Sequence, residues 1–208
     1  LRHADGSLAR FHGGGSGTDG RLDEALFASG IKGLPDAQTH MGFARLASGR
    51  TTLIVDAAAP PNGLASADGH ASTLGFEMTS GRRPVIVNCG SGARYGHEWR
   101  RASRATPSHS TMMIDGVSSS HLGSGGRKGT GPELLTELPD RVQAELASIS
   151  RGRQLELSHN GYQTSHGLTH ARILQLSVDG RTLDGQDLLT TLSPQDEAVF
   201  SQSVPEGG

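Results

Sequence analysis

The sequence predicts an all-β fold, an antiparallel sandwich of two packed sheets with short irregular or helical insertions, and three observations carry that prediction. Short apolar or alternating runs follow one another along most of the chain, with no alternating helix pattern between them. The turn-forming dipeptides Asp5-Gly6 and Asp179-Gly180 separate flanking runs in the manner of hairpins. Thirty of the 208 residues are Gly, about twice the ordinary share, and such a density works against a helical bundle.

Taken in order, Asp5-Gly6 predicts a hairpin joining Leu1–Ala4 to Ser7–Phe11. Gly13 to Gly20 is too rich in Gly for a packed element and reads as a flexible connector; no Lys-Ser/Thr follows it to make a phosphate cradle. Leu22, Ala25 and Leu26 at helical spacing then suggest one or two helical turns. Short strands are expected at Thr39–Leu46, Thr51–Asp56, Ala71–Met78, Pro84–Cys89 and Thr111–Asp115. Leu74, Phe76 and Met78 share one face by period two, and the unbroken Val85-Ile86-Val87 should lie deep in a sheet. Ser118 to Gly131, with Arg127-Lys128, reads as an exposed loop. Further strands fall at Val142–Leu146, Leu155–Leu157 and Leu168–Leu176, the last turning through Asp179-Gly180 into Leu183 and Leu188–Leu192. Ser193-Pro194 supplies an N-cap and first residue for a short helix, with Asp196 and Glu197 suited to its dipole.

Composition narrows the function. A chain of this length can bury roughly 70 % of its unfolded surface, enough for one domain. Nineteen Lys+Arg against 21 Asp+Glu gives a net charge of −2, which excludes nucleic-acid binding by bulk electrostatics. Anion recognition must be local. No apolar run approaches the roughly 18 residues of a membrane span, so membrane insertion is not expected. The single Cys89 excludes an internal disulfide framework and multi-Cys metal sites. Leu1-Arg2-His3 is neither an initiator Met nor a signal peptide, so the sequence reads as a piece of a longer polypeptide.

Ten His in one small domain invite a chemical reading. His70, Asn88 and His109 sit at three separate strand ends, a plausible way for a sandwich to gather metal ligands, although Asn is a poor zinc ligand beside a carboxylate. The competing reading is that these imidazoles hydrogen-bond to backbone at sheet edges. Cys89 in Asn88-Cys89-Gly90-Ser91-Gly92 has the position of a nucleophile, but it follows an apolar run where free Cys behaves as a small hydrophobe. Tyr95 to Arg104 holds the only Trp and three of the Arg residues, Arg100, Arg101 and Arg104. Guanidinium forks pair with carboxylate or sulfate and aromatic rings stack on sugar faces, so Tyr95, Trp99, Arg100 and Arg104 could bind an acidic saccharide; the alternative is a solvated loop anchored by its Trp.

Read together, Gly69-His70-Ala71 before Leu74–Met78, Gly81 to Gly90, Trp99 through Arg104 to His109-Ser110-Thr111, Asp115-Gly116, His159–Tyr162 and His170-Ala171-Arg172 resemble the C-terminal β-sandwich of the heparinase II/III-like polysaccharide lyases. The resemblance covers about residues 66 to 190. It implies a lyase-type supersandwich, an N-terminal α-helical toroid and a last strand that this sequence lacks, and β-elimination on uronic-acid-containing polysaccharides such as glycosaminoglycans. It also implies a bacterial, periplasmic or cell-envelope setting and an acidic polysaccharide as partner. In that chemistry one group neutralises the uronate, a base takes the C5 proton and an acid protonates the leaving oxygen.

By the same resemblance, catalytic positions fall on Asp68, His70 and His109, and a structural zinc would be held at His70, Asn88 and His109. Two departures stand out: Asp68 occupies a position that is His in the family, and Asn88 one that is Asp. Asp68 cannot donate a proton at neutral pH as imidazolium does. Ser110, often Asn in relatives, should alter the bond that orients His109. Without the toroid the isolated piece is expected to be inactive, and a noncatalytic acidic-carbohydrate-binding or structural module is the alternative to a lyase.

Overall fold

Thr51-Thr52-Leu53-Ile54-Val55-Asp56 is the strand around which the first sheet is built, and every residue of it is buried. A strand covered on both faces must sit mid-sheet with material above and below it. The computed structural model describes residues 2–3, 6–14, 18, 20–30, 37–124 and 131–204. Among these, five antiparallel strands form one sheet in chain order: β1 (Ala37–His40), β2 (Phe43–Ser48), β3 (Thr51–Asp56), β4 (Phe76–Ser80) and β5 (Arg83–Ile86). A two-stranded ribbon follows, β6 (His121–Ser124) with β7 (Glu133–Thr136). The second large sheet runs β11-β10-β9-β8, from β8 (Val142–Ile149), β9 (Gly152–Tyr162), β10 (Leu168–Ser177) and β11 (Leu183–Thr190). Among the described residues four α-helices interrupt the strands: α1 (Arg21–Ser29), α2 (His97–Arg104), the single turn α3 (Gln163–His166) and α4 (Pro194–Ser203).

The two large sheets pack through one apolar layer. Ala44 and Leu46 of β2, Leu53 and Val55 of β3, and Leu74 meet Leu155 and Leu157 of β9 and Leu174 and Leu176 of β10. These are every-second residues of their strands, so the pleat alone delivers them to the same layer. The opposite face of β3 is covered by the N-terminal segment, where Ala9 and Phe11 bury Ile54 beside Phe43. The fold is therefore the expected all-β sandwich with short helices.

Several expectations need correction in detail. Thr39–Leu46 is not one strand, because Met41 and Gly42 both take positive φ, 52° and 81°, and turn the chain back on itself between β1 and β2. Ala71–Gly75 lies outside β4, and Leu74 at φ 64° breaks the extended run. Val85 and Val87 are 55 % and 62 % exposed, because β5 is the sheet's outer edge and not a covered interior strand. Thr111–Asp115 contributes only an isolated bridge between Ile114 and Val117. Tyr95–Arg104 is a 3-10 turn followed by α2, not a loop.

The expected exposed stretch 118–131 contains buried Ser119 and Ser120 and the strand β6; Arg127-Lys128 lies outside the described residues. Asp5, Gly15, Ser16, Gly17, Asp19 and Pro205–Gly208 also fall outside them. The N-terminal turn is otherwise visible as an antiparallel bridge between Arg2 and Leu8. The last helix starts as the sequence predicts, with the Ser193 hydroxyl accepting from the Asp196 amide.

Candidate functional site

The inner faces of β9 and β10 change character along their length. In β10 the inward positions run Leu176, Leu174, Arg172, His170, and in β9 Leu155, Leu157, His159. Period two is kept, but the apolar layer gives way to a buried polar one. The proton positions there follow from the partners. The Gly161 amide donates to His159 Nδ1 at 3.0 Å, so His159 Nε2–H donates to His170 Nδ1 at 3.2 Å and His170 Nε2–H to Asp187 Oδ1 at 2.7 Å. Asp187 also receives Arg172 through Nε and Nη2, at 2.7 and 2.9 Å. Burial works to raise the Asp187 carboxyl, but the bonds from His170 and Arg172 outweigh it and hold the carboxyl well below its usual range.

Arg172 carries this layer across to the other side of the sandwich. Its Nη1 donates to the carbonyls of Leu74 and Ser110, at 2.8 and 2.6 Å. These residues flank the loops that bear His70 and His109. The Ser110 hydroxyl ties the same loops together through the backbone of Phe76, so it does not orient His109.

His70 and His109 do converge: their rings lie 5.2 Å apart, and both side chains are buried. Asn88 completes the group, its Oδ1 lying 3.0 Å from His109 Nδ1. Burial, then the neighbouring positive charge of His109 and His12, pushes His70 down to about 3. Burial likewise lowers His109 to about 4, against the opposing pull of Asp56. Both imidazoles are therefore neutral at physiological pH and cannot neutralise a uronate as cations.

Sequence reasoning missed the second ring of this pocket. The His70 amide donates to His12 Nδ1 at 3.2 Å, which leaves His12 Nε2–H facing Asp56 Oδ2 at 3.2 Å. Glu77, on the β4 face opposite Phe76 and Met78, accepts from the amides of Arg10 and Asn88 and meets His3 at 2.8 Å. Burial opposes ionisation of Glu77, but these bonds bring its carboxyl below the ordinary value. The available signal was a carboxylate directly beside apolar residues in each of two strands, Asp56 after Leu53-Ile54-Val55 and Glu77 between Phe76 and Met78, which a folded chain tolerates in its interior only with partners.

Beside the pocket, α2 presents two chemically distinct faces. Tyr95 and Trp99 are exposed, with rings 6.4 Å apart edge to face, and Arg94 stacks over Tyr95 at 4.6 Å. Arg100 reaches the loop before His70, donating to the Ala67 carbonyl at 2.7 Å and to Asp68 Oδ1 at 3.0 Å. Asp68 is thus an exposed, ion-paired carboxylate at the pocket's edge. Arg104 is placed differently from the expectation of a ligand contact. It is 1 % exposed, and its guanidinium donates to the carbonyls of Gly69, Ser66 and Glu133. It fixes the loop that carries His70. Cys89 is exposed, and burial of its surroundings raises its thiol, the opposite of what a thiolate nucleophile needs.

A zinc at His70, Asn88 and His109 does not fit these residues. The Asn88 carboxamide brings no charge, its oxygen is engaged by His109, and its amino group would face the cation with N–H donors. Among the described residues no group of three or more His, Cys, Asp or Glu is disposed to hold a metal ion.

A family model, Heparinase II/III-like, C-terminal, matches residues 33–202. The chain belongs to the heparinase II/III-like C-terminal family. Its resemblance to FtsZ-localized protein C of Caulobacter vibrioides is 30 % identity over 199 residues, 94 % of this chain and 34 % of that protein. Among solved structures, a heparinase III superposes with a TM-score of 0.64 at 17 % identity, covering 93 % of this chain and 30 % of that one. The heparan sulfate lyase HepC of Pedobacter heparinus gives 0.55 at 17 % identity, covering 82 % of this chain and 28 % of that one. At such identities the solved structures establish the fold. This heparinase-like domain spans about a third of the length of the relatives it matches.

Proposed function

We propose that this domain is the sandwich wall of a polysaccharide cleft in a heparinase II/III-like protein, and that in the full-length protein it helps β-elimination of uronic-acid-containing polymers. The observation that carries this reading is the exposed Tyr95–Trp99 pair with Arg94 and Arg100 beside it, next to a loop pinned from beneath by Arg104. Aromatic faces stack on sugar rings, and guanidinium forks take carboxylate or sulfate. His70 and His109, buried and neutral, serve this reading as the support of the cleft loop, and Asp68 as the partner that aims Arg100. The toroid that would face the cleft, the proton-transfer groups upon it, and a place in the cell envelope belong to the same proposal.

The test is incubation of the full-length protein with a panel of uronate polymers, following the absorbance of the unsaturated product. Turnover that falls at least tenfold in W99A and Y95A, with unchanged melting temperature, supports the reading. Intact binding without absorbance on any polymer contradicts it.

That second result is what a noncatalytic saccharide-binding module of the cell envelope would give. One observation favours this alternative: at the pocket Asn88 is neutral and Asp68 is held in an ion pair with Arg100, so neither is placed to donate or take a proton.

A further inference from the structure

We propose that Asn88 makes this protein's pocket a metal-free one, its carboxamide holding His109 by a hydrogen bond in place of an ion, and that the single change Asn88→Asp converts the pocket into a zinc site. This goes beyond the functional reading above and does not depend on which polymer the cleft meets.

Two buried polar atoms in the pocket have no hydrogen-bond partner: His70 Nδ1 and Asn88 Nδ2. Buried polar atoms of this kind call for a partner, and a bound ion is one that could supply it. What blocks a cation is chemical. The Asn88 side chain offers one neutral oxygen and, on its other branch, two N–H donors that repel positive charge. Aspartate has the same shape, replaces those donors with a second acceptor, and adds the charge that zinc seeks.

For the Asn88–His109 pair the geometry needs little adjustment. Asn88 Oδ1 and His109 Nδ1 are 3.0 Å apart. Two ligands at the usual ~2.0–2.1 Å from a tetrahedral zinc stand roughly 3.3 Å from each other. The backbone beneath is held by groups that do not involve the Asn88 side chain. The Asn88 amide donates to Glu77 Oε1 at 3.0 Å, and the His70 amide to His12 Nδ1 at 3.2 Å. Changing the carboxamide therefore leaves the frame in place.

The experiment is metal analysis of the full-length protein, purified without chelator, together with thermal melting in zinc and in EDTA. Wild type is expected to carry under about a tenth of an equivalent of zinc, with a melting temperature that neither treatment moves. N88D is expected to bind about one equivalent and to melt several degrees higher in zinc than in EDTA, and the double variant N88D/H109A to lose both properties. Asn88→Cys, which supplies a thiolate, runs as a parallel arm in case N88D does not fold. Wild type holding one equivalent that H70A removes would overturn the proposal, as would the absence of zinc uptake by both N88D and Asn88→Cys when either shows a wild-type circular dichroism spectrum.

Discussion

Arg172 has the same period-two position as Leu174 and Leu176, yet it joins Asp187, Leu74 and Ser110 by hydrogen bonds that those leucines cannot make. It is held in a fork by Asp187 and reaches the carbonyls of Leu74 and Ser110, so its removal leaves two carbonyls without this donor and a partly buried carboxylate with His170 alone. R172M is expected to cost about 2–4 kcal/mol in urea unfolding, and R172K to recover little of it, because an ammonium cannot serve a two-pronged acceptor and two carbonyls at once. Equal stability of R172K and wild type would refute the role given to the fork. His159 makes a prediction of opposite chemistry. Burial, and then the charges of His170 and Arg172, lower it from 6.5 to about 3 in the folded protein. Below pH 6.5 the unfolded chain therefore binds a proton that the folded one refuses. Its contribution is complete above that pH and drains as pH falls toward 3, at about 1.4 kcal/mol per pH unit. H159Q, which can still accept from Gly161 and donate to His170, should flatten the stability profile between pH 6 and 4 by about that slope. At this scale the sequence was partly legible. His70, Asn88 and His109 stand out as histidines and an amide beside expected strands, although the fold places all three on loops, whereas His12, Asp56 and Glu77 join the pocket from distant segments that no local spacing connects.

Strand β3 and strand β5 show why similar apolar runs end in different places. Thr51–Asp56 is buried throughout because β2 and β4 flank it and the N-terminal segment covers its outer face. Val85-Ile86-Val87 is just as apolar, but the sheet stops there. Hydropathy reports what a strand tolerates, and strand order decides what it receives. L53A should destabilise the protein by about 2–5 kcal/mol by opening a cavity between the sheets, while V85T and V87T should each change stability by under about 0.5 kcal/mol. Differential scanning calorimetry of the three variants checks the contrast, and a large effect of V85T would show β5 to be covered. Helix α2 was illegible for another reason. Its residues are charged or aromatic with hardly an apolar stripe, since it packs through Ser103 and Arg104. Helix α4, by contrast, advertises itself through the Ser193-Pro194 start that the fold then uses.

For the molecule as a whole, the sheets divide the labour along one axis. One end of the inter-sheet layer is leucine and valine, which supplies the hydrophobic stability; the other is histidine, arginine and carboxylate, which fixes loops in place. The fixed end carries the pocket and, beside it, the aromatic and cationic face of α2. Fold class was readable from composition and alternation, because both depend on the pleat, and the family resemblance is matched across residues 33–202. Which side chains face a ligand was not readable, since Arg100 and Arg104 lie four residues apart yet Arg104 is buried on three carbonyls while Arg100 pairs with Asp68 and the Ala67 carbonyl at the pocket's edge. The most direct measurement is calorimetric titration of the full-length protein at low salt with a uronate polymer and with its carboxyl-reduced neutral counterpart. The account predicts binding of the acidic polymer that weakens with salt and falls at least tenfold in W99A, with little binding of the neutral one. Equal affinity for both polymers, unchanged in W99A and Y95A, would contradict it.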